Sequence, residues 1–167
     1  MTKIKVFVAG ACAALLLGAC NGLYLPGASL TNPRVETDRQ LTSKESVLCT
    51  NLDTNVTYSF DYSGALDAWS VQVVGQEQNK ATAWRLGRTV SANANLISGS
   101  HVSETFLAGA GAAPYPAARV SASAAVQPVT SFNPAGRARL VIGLQSGADK
   151  ATFDDPSLEL RVGVCGN

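Results

Sequence analysis

The stretch "NVTYSFDY", Asn55–Tyr62, alternates in chemistry at every step. Val56, Tyr58, Phe60 and Tyr62 share one face of an extended chain, and Thr57, Ser59 and Asp61 share the other. Successive side chains of a strand point to opposite faces, so the pattern predicts a strand with one buried face. The same period recurs in "AWSVQVVG", which sets Trp69, Val71 and Val73 together. It returns in "ARLVIGLQSG" and in "SLELRVGVC", where Leu158, Leu160, Val162 and Val164 are in step. These runs are bounded by Gly, Asp, Asn and Pro, and none shows a 3.6-residue repeat. They predict an all-β fold, a single antiparallel β-sandwich. The Ala-rich stretch 108–126 reads differently. Gly109, Gly111, Pro114 and Pro116 would cost a helix about 1 kcal/mol per Gly and 3 per interior Pro. Ala108–Ala117 is therefore expected as a loop, Arg119–Val126 as a weak strand and "SFNPAGR", Ser131–Arg137, as a turn.

The N-terminus, "MTKIKVFVAGACAALLLGAC", is unlike the rest. Lys3 and Lys5 precede an uncharged apolar run from Val6 to Leu17, too short for the roughly 20 residues of a membrane-spanning helix. A short basic region, an apolar run and small residues make the pattern of a secretory signal peptide. The other reading, a buried core helix, would have no polar face. Leu17-Gly18-Ala19-Cys20 resembles the lipobox of bacterial lipoproteins, a resemblance confined to the signal. It implies that the Cys20 thiol takes a diacylglyceryl group and that the chain is cut just before it. Asn21, rather than Asp, follows that cysteine; if the host has an outer membrane, this points to export there. The expected organisation is a signal peptide over 1–19, a lipid-anchored tether over 20–43 and a β-sandwich domain over 44–167. The tether "NGLYLPGASLTNPRVETDRQLTS" carries Gly, two Pro and no sustained period, and its end is either free or packed on the domain. Tyr24 and Leu25 within it are either membrane-facing or a docked edge.

The remaining cysteines follow from that division. Cys12 leaves with the signal and Cys20 carries the lipid, so Cys49 and Cys165 remain, and outside the cytoplasm two thiols pair as a disulfide. A metal site on the same pair lacks partners, because His101 is the single histidine. Cys165 is out of phase with Leu158, Leu160, Val162 and Val164, so the bridge is expected on the outer face of the sheet or at its edge. The net charge of +1 falls to about −1 once Lys3 and Lys5 are removed. Scattered charge of that size excludes a nucleic-acid partner, which requires clustered Lys and Arg.

Two segments of the domain resemble carbohydrate-binding jelly rolls of the galactose-binding-like kind. In "TNVTYSFDYSG" the matching residues are Tyr58, Ser59 and Phe60. In "ATFDDPSLELRV" they are Asp154, Asp155, Ser157, Leu158 and Glu159. The resemblance covers about a quarter of the chain and implies a jelly-roll-like sandwich, a glycan ligand and a calcium ion held partly by Asp155. The competing reading is that Asp154-Asp155-Pro156 caps a turn through its own backbone.

Catalytic signatures are sparse. His101 has Ser98, Ser100, Ser103 and Glu104 nearby in sequence, but no G-x-S-x-G element presents a nucleophile. Trp69 belongs to the core by its phase. Trp84, followed by Arg85 and Arg88, reads either as a stacking platform or as a half-buried strand residue. The expectation is a non-enzymatic binding or structural domain on a lipid anchor in the bacterial envelope, without cofactor or resident metal. Its partners would be the membrane, through Cys20, and an envelope protein or a glycan. An envelope hydrolase is the third reading, and the missing motifs count against it.

Overall fold

The computed structural model describes residues 22–25, 28–77, 83–91, 97–98, 100–110, 114–115 and 125–166, with side chains at 28–75, 100–110 and 125–166. Among them the fold is all β. The first sheet is built from β1 (Gly22–Leu25), β2 (Ala28–Thr37), β5 (Thr54–Gly64), β9 (His101–Ala108) and β10 (Pro114–Tyr115), in that order, with β8 (Ile97–Ser98) also paired to β9. The second runs β4 (Val47–Cys49), β13 (Asp149–Gly166), β12 (Ser131–Ser146), β6 (Ala68–Glu77) and β7 (Ala83–Ser91). Pairing within both sheets is antiparallel except for β4, which runs parallel to β13. A small parallel pair, β3 (Arg39–Gln40) with β11 (Gln127–Pro128), stands apart.

The alternation seen in the sequence is what builds the core. Leu30, Tyr58 and Phe60 of the first sheet join Trp69, Ile142 and Leu158 of the second in one buried cluster. Phe60 meets Trp69 edge-on, their ring centroids 6.4 Å apart. Inside it, Trp69 Nε1 donates to Tyr58 Oη at 2.9 Å, and Tyr58 Oη donates to Glu104 Oε2. The polar ends of these buried side chains are thereby satisfied, as a low-dielectric interior requires.

Three local expectations are corrected. Residues 20–43 are not a tether throughout: β2 pairs with β5 along its length, and Leu30 is wholly buried. Its period is hidden because the register slips between Thr31 and Arg34, where Asn32 and Pro33 stand against Phe60 alone. Asn32 takes up the excess residue at φ 51°, in the left-handed region that Asn tolerates. Ser131–Arg137 is not a turn but the first part of β12. Among the described residues its pairing with β6 reaches only to Gly136, and Pro134 stands at a register shift against β13, an irregularity where proline is tolerated. In the Ala-rich stretch, Ala108 closes β9 and Pro114–Tyr115 form β10, while Ala125 and Val126 are not in a strand. The other residues of the expected strand Arg119–Val126 lie outside the described residues.

The phase of β13 also has a limit. Leu158, Leu160 and Val162 are buried, but Val164, in the same phase, is 47% exposed because the main core ends at Val162. On the opposite face Cys165 is buried in a second, smaller cluster with Val47, Cys49 and Val129. Leu41, Leu52 and Phe132 pack against it. The β4–β13 edge is thus covered on both faces. Val47 and Cys49 stand opposite Arg161 and Gly163, while Leu48 stands opposite Val162 and joins the main core.

Candidate functional site

The outer face of the first sheet is polar because it is the other half of the alternation. Across it the register sets Thr31 opposite Asp61, Asp61 opposite His101 and His101 opposite Ser98, a single row over β2, β5, β9 and β8. His101 Nδ1 lies 2.7 Å from Asp61 Oδ1. Asn32 Nδ2 donates to Asp61 Oδ2 at 2.8 Å. The bulge in β2 brings the Asn32 amide to the carboxylate, so a backbone irregularity and a side-chain contact have one origin. Hydrogen bonds from Asn32 first, and from His101 second, hold the Asp61 carboxyl below the ordinary aspartate range. An ionised carboxylate only accepts, so it selects the Nδ1–H tautomer of the neutral ring and leaves Nε2 with its lone pair. The site can therefore accept a hydrogen bond or a proton at Nε2. The pair is open to water, with His101 46% and Asp61 40% exposed.

The sign of the pH effect follows from that shift. A carboxylate with a depressed folded-state value contributes stability above its unfolded value of about 3.9, and the contribution is lost as pH falls through the folded value. Asp61→Asn should therefore lower stability near pH 7 by less than about 1 kcal/mol, since an exposed pair is screened. Once the pH has fallen below that depressed folded value, the variant and the parent should converge. Urea unfolding at the two pH values checks this, and a difference that persists in acid would contradict it.

The disulfide lies away from this row, in the second core. Cys49 and Cys165 are bonded, their Cα atoms 5.5 Å apart and their exposures 2% and 4%. By register the bridge is on the outer face of the second sheet, but the small apolar cluster covers it. Asn51 fixes the strand beside it: its Nδ2 donates to Cys165 O at 2.8 Å, and its Oδ1 accepts from Cys165 N at 2.8 Å. That side-chain amide stands in for one more residue of a pairing strand. Gly163 is needed here, because a Cβ would lie 2.4 Å from Asn133 O and 2.8 Å from the Phe132 ring. Arg161 closes the cluster from outside, its guanidinium carbon 4.9 Å from the Phe132 centroid.

The remaining candidates fall elsewhere in the fold. Asp155 Oδ1 accepts from Ser157 N at 2.8 Å, the turn geometry of an aspartate bonding its own backbone, and Ser157 lowers its pKa. Asp154 pairs with Arg139 at 2.6 Å. Among the described residues no group of three or more His, Cys, Asp or Glu side chains is placed to hold a metal. Trp69 is in the core, 1% exposed. Trp84 stands opposite Gly75 in the β6–β7 pair, and its side chain lies outside the described residues. Cys20 and the signal peptide expected over 1–19 also lie outside them. A shallow depression of about 210 Å³ on the outer face of the second sheet is lined by Ser70, Gly143, Gln145, Lys150 and Thr152 among others.

His101 stands out in the sequence as the single histidine, but Asp61 and Asn32 do not stand out as its companions. Contacts spanning 40 and 29 residues leave no local pattern. Their only trace in the sequence is the broken period at Asn32-Pro33. No family model matches the chain, and no curated protein matches its sequence.

Proposed function

We propose that this chain is a lipid-anchored protein of the bacterial envelope, whose sandwich serves as a non-enzymatic binding or structural domain. The observation that carries the reading is the cysteine arrangement. Cys20 ends a lipobox-like run, and the two cysteines remaining after it are joined and buried as Cys49–Cys165. A buried disulfide fits a protein matured in an oxidising compartment. Binding is favoured over hydrolysis by the setting of Asp61 and His101. Transition-state stabilisation relies on donors fixed in a site shielded from water, whereas this pair stands on an open sheet face.

The anchor has a direct test. Cells given a tagged fatty acid should transfer it to the parent protein and not to Cys20→Ser, because the thiol is the atom that takes the lipid. A parent protein that carries no tag would remove the reading.

A second reading, a glycan-binding module of the jelly-roll type, draws on the polar outer face of the first sheet. Ser29 and Ser63 bond there at 2.7 Å, Thr57 and Thr105 at 2.8 Å, and the Asp61–His101 pair lies between them. Affinity purification from solubilised membranes, beside a glycan-binding assay of the parent and His101→Ala, separates the two. Protein capture unaffected by the substitution supports the first, and glycan binding lost with it supports the second.

A further inference from the structure

We propose that the anchor has no stalk: the β1 edge of the sandwich rests on the bilayer surface itself. This rests on the lipidation of Cys20 proposed above. β1 begins at Gly22, and its four residues pair with β2, from Gly22 opposite Thr31 to Leu25 opposite Ala28. A single residue, Asn21, separates the lipidated position from the first residue of the sheet. A fully extended chain covers at most about 3.6 Å per residue, so the Cα of Gly22 lies within about 7 Å of that of Cys20. The headgroup layer of one leaflet is itself about 5–7 Å deep. A flexible segment as long as 20–43 would instead give an end-to-end span of roughly 25 Å. The reach available cannot carry the domain clear of the surface.

The topology states which part of the domain is held there. Among the described residues β1 is the outermost strand of the first sheet, and β13 of the second sheet lies against both β1 and β2. The chain enters at the level of Thr31, partway along β2, not at a tip of the sandwich. The domain is therefore carried on its side. β1 has the sequence Gly-Leu-Tyr-Leu, and tyrosine is a residue that partitions to the membrane interface. The row containing Asp61 and His101 starts from the same level. His101 is three strand spacings from β1, roughly 14 Å, so whatever its Nε2 recognises is met close to the membrane.

The test uses the full-length lipidated protein in vesicles of zwitterionic phosphatidylcholine, with intact mass confirming the acyl groups. It is compared with a lipidated form carrying ten Gly/Ser residues inserted between Asn21 and Gly22. Hydrogen exchange over residues 22–37 should be at least severalfold slower in the parent than in the insertion form. Exchange over β9 and β6, away from that edge, should match in both. Equal exchange over 22–37 in two lipidated proteins would overturn the inference and leave the anchor standing. A parent purified without lipid would overturn both. A second measurement does not need the inserted form: nitroxide-bearing headgroups should broaden amide signals of 22–37 more than those of β9. Equal broadening over 22–37 and β9 would also refute the proposal.

Discussion

Replacing Cys49 and Cys165 together with alanine should lower the stability of the domain by up to about 4.7 kcal/mol, the chain-entropy value for a loop of about a hundred residues. The bridge closes a sequence separation of 116 and links β4, near the start of the domain, to the end of β13. Its sulfurs also fill the second core, where few other side chains could take their place. For a domain of this size the loss corresponds to a fall in Tm of roughly 10–20 °C. Against a total stability of about 5–15 kcal/mol, it is enough to leave part of the population unfolded at growth temperature. Thermal and guanidinium unfolding of parent and variant measure it. Exposures of 2% and 4% add a kinetic expectation: the native protein should resist mild reductant and alkylation until it unfolds. Two thiols that alkylate readily in the native protein, or an unchanged unfolding midpoint, would contradict this account.

The second large effect is expected at Trp69. Its side chain is 1% exposed, stacks edge-on against Phe60 and donates to Tyr58 Oη at 2.9 Å. Trp69→Ala should cost about 3–5 kcal/mol, from lost burial and from the cavity left between the sheets. Trp69→Phe keeps most of the apolar area and removes the N–H donor, so its cost should be nearer 1–2 kcal/mol. Tyr58 retains its hydrogen bond to Glu104 in that variant, which limits the loss. Urea unfolding midpoints of the three proteins give the comparison. Equal costs for the two substitutions would show that the hydrogen bond, and not the packing, holds this part of the core.

The alternation of buried and polar residues along β5, β6 and the middle of β13 could be read directly, because the faces of a strand are set by position within it. The same locality explains the failures. A single excess residue at Asn32-Pro33 was enough to disguise β2 as a linker, since a one-residue slip exchanges the two faces. Pro134 and Gly136 disguised the start of β12 as a turn, although a register shift accepts both. Where a strand outruns the core, as at Val164, phase no longer reports burial.

What the sequence by itself determined, then, was the class of the fold, the inward faces of its strongest strands and the small stock of chemical groups, with one histidine and four cysteines. Register and covering were decided only in three dimensions. Pairing β5 with both β2 and β9 placed Asp61 between Asn32 and His101, residues that lie far from it along the chain. The disulfide lies on the outer face where its phase predicts it, and the wrapping of Leu41, Leu52, Val129 and Phe132 around that face of β4 and β13 buries it. Side-chain alternation depends on neighbours in the chain, whereas register and burial depend on segments brought together by folding, and no local pattern encodes that meeting.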